Sequence, residues 1–207
     1  MPLFFHLQPE DESKTVMSAD TTSPDIIRAG TALYAQLWPQ REAITARWID
    51  VVHGTYPFDT IGFLRTRKDR FANPVGYRTE EAAAALVNVL FSENPDEAPL
   101  LAAVDEIMRV RAVQDFSPET AVGVIFALKD IVRRVVNDAG CMAEVMPALL
   151  MLESRVDAVA LMAFGAYARF RETLHIMKVD EFKRLNSQIL RLAEKKAEKM
   201  DEADTNN

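Results

Sequence analysis

Arg111 projects from the middle of an apolar stripe. In "LLAAVDEIMRVRAVQDFSPETAVGVIFALKD", residues 100 to 130, Leu100, Val104, Ile107 and Met108 share one helical face, and Arg111 continues it with Gln114 on its flank. Two further cations intrude in the same way. Lys129 aligns with Val122, Ile125, Val132 and Val136, and Arg171 with Ala160, Phe164, Tyr167 and Leu174. A buried guanidinium needs a partner. Asp115, four residues after Arg111, is one candidate, and a buried ion network that fixes helix packing is one reading of the set. The other is a cationic, partly enclosed ligand-binding pocket where the helices cross. It would suit a carboxylate or another small anion, with Trp48, Tyr56 and Tyr167 as an aromatic wall. Arg109 stands apart, because Asp105 precedes it by four residues and an exposed helix pair accounts for it.

Catalytic chemistry finds no comparable foothold. There is no G-x-x-x-x-G-K, no G-x-S-x-G and no H-E-x-x-H, and the acidic pairs sit at helix starts or on polar faces. Of His6, His53 and His175, the last lies mid-helix near Phe164 and Tyr167, where a haem ligand would be sought. One histidine without a pocket motif reads instead as a half-buried structural residue. Cys141 is the only cysteine, so it forms no internal disulfide and holds no metal by itself. The expectation is a non-enzymatic protein with no cofactor and no metal.

The elements that must position these side chains are helical. Hydrophobic residues make up 49% of 207 residues, enough for a core, with only 7 glycines and no alternating strand pattern. A net charge of -7 argues against a nucleic-acid partner. No apolar run approaches a membrane span, and "MPLFF" is too short for a signal peptide, so no membrane insertion and a cytoplasmic location are expected. Translation from Met1 or from Met17 both fit the leading sequence.

Residues 1–22 read as a disordered lead. Ser23-Pro24 starts a helix to about Leu37, and a second, roughly Gln40 to His53, carries Ile44, Trp48, Val51 and Val52 inward. "GTYPFDTIGFL" breaks it and offers a short third helix. "RTRKDRFANPVGYRTEE" reads as a loop, with Thr79 starting the next helix. Ser117-Pro118 repeats the capped start, and Gly140 suits a left-handed helix end. The longest periodic segment then runs from Leu149 to Met177, completing the body at 23–178. A projecting helix at 179–195 continues it, and a charged, frayed tail at 196–207 follows. Phe182, Leu185, Ile189 and Leu192 form a heptad-like seam flanked by Glu, Lys and Arg. Such a narrow stripe packs back on the body or, the favoured reading here, pairs with the same helix of a second chain as a homodimer.

These segments carry a resemblance. "RWIDVVHGTYP", "FANPVGY", "DEIMRVRAVQDFSPETAVGVIFALKD" and "AFGAYARFRETLHIMKVDEFKRL" resemble the N-terminal domain of RsbRD, the RsbT co-antagonist type of stressosome regulator, over roughly residues 26 to 190. The matching positions are Trp48, Tyr56, Pro57, Phe71, Asn73, Pro74, Arg109, Arg111, Gln114, Phe116, Ser117, Pro118 and Lys129. The resemblance implies an all-α sensory or input domain, dimeric, and by analogy with related stressosome proteins a globin-like helical bundle without haem. Full-length regulators carry a phosphorylatable STAS module after this domain. Here a charged tail follows residue 193, so the expectation is a free-standing copy that signals through an unidentified protein partner. Free-standing relatives beside membrane redox complexes of sulfur respiration suggest an adaptor role as the alternative.

Overall fold

The computed structural model describes residues 24–57, 60–62, 71–92 and 96–205, with side chains placed as far as residue 193. Among them every regular element is helical: α1 (Pro24–Leu37), a 3-10 turn (Trp38–Gln40), α2 (Arg41–Gly54), α3 (Pro74–Leu90), α4 (Glu97–Val113), α5 (Pro118–Asp138) and α6 (Met142–Thr205). The chain is therefore all-α. The lead at 1–22 with His6, the Ser23 cap and most of the short third helix lie outside the described residues.

Local chemistry sets the helix starts. Ser117 accepts a hydrogen bond from Thr120 N, with Pro118 in the first turn of α5, and Asp96 does the same for Ala98 N at the start of α4. Gly140, at φ 68, ends the turn after α5. The start of α3 corrects the sequence reading. The helix begins at Pro74, not Thr79, because Asn73 caps it: its Oδ1 accepts from Gly76 N at 2.9 Å. Asn73-Pro74 acts as an N-cap and first-turn proline rather than as a break. Glycine is required at 76, since a Cβ there would stand 2.2 Å from Asn73 Nδ2.

Helix α6 organises the body. It packs on α4, α5 and α1, while α3 lies against α4, and α2 against α3 and α5. Leu149, Leu152, Val156, Val159, Ala163 and Tyr167 bury one stripe of α6, and Val104, Ile107 and Met108 of α4 meet the same core. In α2, Ile44, Trp48 and Val52 face inward, but Val51 is exposed and His53 is buried with its ring edge-on to Tyr56; α2 is packed by both α3 and α5, so burial is not confined to one stripe. Ion pairs fix the antiparallel register of α5 on α6: Lys129 Nζ meets Asp157 at 2.5 Å, and Arg133 grips the buried Glu153 at 2.6 and 2.7 Å.

Beyond Leu174 the packing stops while the helix continues. Ile176, Met177, Phe182, Leu185, Ile189 and Leu192 are all exposed. Nothing interrupts α6 at 178, and it runs to Thr205, through the stretch read from sequence as a frayed tail. Alanine, glutamate and lysine, which dominate that stretch, are strong helix formers, and their lack of apolar periodicity says nothing against a solvated helix.

Candidate functional site

The turn between α4 and α5 gathers the polar groups. α4 stops at Val113 and α5 is capped at Ser117, so Gln114, Asp115 and Phe116 alone reverse the chain. Asp115 takes φ 61, a left-handed conformation that aspartate tolerates better than most residues. Phe116 N donates back to the Arg111 carbonyl at 3.3 Å, which folds the Phe116 ring under the arginine.

Arg111 is 1% exposed. Its Nη2 donates to Thr55 Oγ1 at 3.0 Å and to the Thr120 carbonyl at 2.8 Å, and its guanidinium carbon lies 4.2 Å from the Phe116 ring centroid. The residue thus ties the end of α2 to the end of α4 and the start of α5. Asp115, the expected partner, pairs instead with Arg171. The helix has ended before Asp115, so the four-residue spacing no longer places the two side chains on one face. Arg111 Nε and Nη1 find no hydrogen-bond acceptor among the described residues. Burial pushes the guanidinium below the ordinary arginine pKa, while the Tyr56 and Tyr167 hydroxyls act the other way.

Three more sequence-predicted side chains share this corner. Tyr56 donates to Gln114 Oε1 at 2.6 Å and sets its ring edge-on to Phe116 at 4.9 Å. Burial raises the Tyr56 pKa, against the smaller effects of Arg111 and Gln114, which keeps its hydroxyl protonated as a donor. Arg171 Nη1 donates to the Ala112 carbonyl at 3.1 Å, satisfying one of the open carbonyls at the end of α4. From α6, the Tyr167 hydroxyl donates to the Phe116 carbonyl. Tyr167→Phe should therefore lose about 1–2 kcal/mol in urea unfolding, because it leaves that buried acceptor unmatched. A variant as stable as the parent would show that the bond does not hold the corner.

Lys129 and Trp48 lie elsewhere. Lys129 belongs to the ion pair with Asp157, and Trp48 is enclosed between α2 and α5, its Nε1 donating to the Val124 carbonyl at 2.7 Å. Neither shares a partner with Arg111. Arg109 pairs with Glu106 rather than Asp105, whose carboxylate meets Arg169 of α6 at 2.9 Å. His175 is exposed rather than half-buried, since the packed stripe has ended by that point. No group of three His, Cys, Asp or Glu capable of holding a metal occurs among the described residues. The corner's other partners, Thr55 and Thr120, carry no signal in the sequence; nothing in the local pattern ties Thr55 to a residue 56 positions away.

Beside the corner, a hollow of about 330 Å³ lies between the start of α3 and the end of α4. Arg78, Arg109, Val110, Val113 and Gln114 line it. Both arginines lean on one carboxylate, Glu106, so the wall keeps a net positive charge. Gln114 stands between this hollow and Tyr56.

The family model described as the RsbT co-antagonist protein rsbRD N-terminal domain matches residues 42–179. The chain belongs to this family. Its members are stressosome-type regulatory input domains. The rsbRD match takes in the whole Arg111 corner, whereas α1 and the exposed end of α6 fall outside it. No curated protein and no solved structure matches the chain. No helix among the described residues is long and apolar enough to cross a membrane.

Proposed function

We propose that this chain is a cytoplasmic, non-enzymatic input domain that receives a signal at the Arg111 corner and reports it through α6 to a second copy of itself. The observation that carries this reading is the continuity of α6. One helix holds Tyr167 and Arg171 against the corner and, further along, presents Phe182, Leu185, Ile189 and Leu192 uncovered. A shift in corner packing has a rigid element to act on.

A small anion seated between Arg78 and Arg109 competes with Glu106 for them and meets the side chain of Gln114. From Gln114 the contacts run to Tyr56, to Phe116 and to Tyr167 of α6. The unmatched Nε and Nη1 of Arg111 give the corner a second arrangement to move toward, one in which they gain an acceptor. The second reading is a protein-binding adaptor without a small ligand. It is favoured by exposed Phe126, Leu161 and Phe164, which the register of α5 on α6 brings near one another.

Sedimentation equilibrium across a series of small carboxylates, phosphate and nitrate tests the coupling. The dimer dissociation constant of the parent chain should change by about tenfold with the effective anion, and that of Arg111→Met should not. Indifference of the parent to every anion removes the anion-sensing reading and leaves the adaptor.

A further inference from the structure

A recess with an apolar floor lies away from the Arg111 corner. α1 crosses α6 beside the end of α3, and a groove of about 440 Å³ opens there. Leu33, Leu37, Leu90, Phe91 and Leu152 form its buried floor, and Ile27 stands exposed at its edge. Gly30 also faces it, and a Cβ built on Gly30 meets nothing within 4 Å.

The polar groups along the groove are few and unequal. The hydroxyls of Thr31 and Ser92 already donate to the carbonyls of Ile27 and Val89 in their own helices. Arg155, exposed at the rim, is the one charged side chain in the lining, and it makes no ion pair or hydrogen bond among the described residues. Tyr34, stacked on Trp38, also lines the groove. A buried apolar floor edged by a single unpaired cation suits an aliphatic chain that ends in one negative charge.

We propose that the α1–α6 groove binds a long-chain aliphatic carboxylate, its chain laid over Leu33, Leu37, Phe91 and Leu152 and its head group on Arg155. The site is independent of the Arg111 corner. Half of it is built by α1, which precedes the segment shared with the family. Burying methylenes supplies affinity, and the guanidinium supplies the preference for a carboxylate over a neutral head.

Titration calorimetry of the full chain with dodecanoate and with dodecanol tests this. The parent should bind dodecanoate at least about tenfold more tightly than the alcohol, as expected for one charge-assisted contact. Arg155→Gln should abolish that preference while still binding both. Gly30→Leu should fill the trough and eliminate binding of either ligand. Leucine suits a helix interior better than glycine, so Gly30→Leu should melt no lower than the parent, which separates a blocked groove from a misfolded chain. Equal affinity for the two ligands, undiminished binding by Gly30→Leu, or no binding by the parent overturns the proposal.

Discussion

Arg111→Met should fold, with a stability within about 2 kcal/mol of the parent in urea, whereas Arg111→Ala should lose about 2–5 kcal/mol. The two substitutions separate charge from volume. Methionine keeps a buried aliphatic stem and removes a guanidinium that is buried without a carboxylate. What it forfeits is the pair of bonds to Thr55 Oγ1 and the Thr120 carbonyl. Desolvating an unpaired charge costs several kcal/mol, and losing two charge-assisted bonds costs a similar amount, so the terms largely cancel. Alanine removes the same bonds and also leaves a cavity beside Phe116. Lysine does not rescue, because it lacks the planar fork that bonds two oxygens while stacking on a ring. If Arg111→Met falls as far as Arg111→Ala, the guanidinium bonds are a structural rivet and the corner has no spare arrangement to signal with.

Arg111 announced itself in the sequence because a cation interrupts an otherwise apolar face, and burial follows from its position on that face. Its partners did not. Thr55 and Thr120 reach it only once α2 and α5 converge, and a threonine at a helix end looks like any other. Asp115 misled for a related reason. The four-residue rule holds only inside a helix, and the tight link forced by the Ser117 cap ends α4 first. Cap chemistry is legible at Ser117-Pro118, whereas Asn73-Pro74, which carries the same N-cap and first-turn proline, reads in the sequence as part of a loop. A dipeptide that stops one helix also starts the next, and only the direction of the Asn73 side chain distinguishes the two. The arginine-lined hollow and the α1 groove are not legible in the sequence, since each is made by residues from separate helices.

The end of α6 gives the sharper test of how the chain assembles. Phe182, Leu185, Ile189 and Leu192 are 65%, 46%, 62% and 67% exposed, so within one chain they gain nothing from the fold. Their three- and four-residue spacing repeats on an identical helix, which makes the stripe complementary to itself in a parallel pair. Burying each such side chain contributes about 1.5–3 kcal/mol. Leu185→Arg together with Ile189→Arg removes two of them and sets like charges face to face. The proposed dimer should weaken by more than about 100-fold, which leaves monomer at micromolar concentration in sedimentation equilibrium. The melting temperature of the body should not fall, because neither residue touches it. The contrast matters. A substitution in the core, such as one at Val156, would lower both quantities, whereas a stripe that serves only assembly lowers one. An unchanged dimer in the doubly substituted chain would place the interface elsewhere on the body and take from α6 the role of carrying the signal outward.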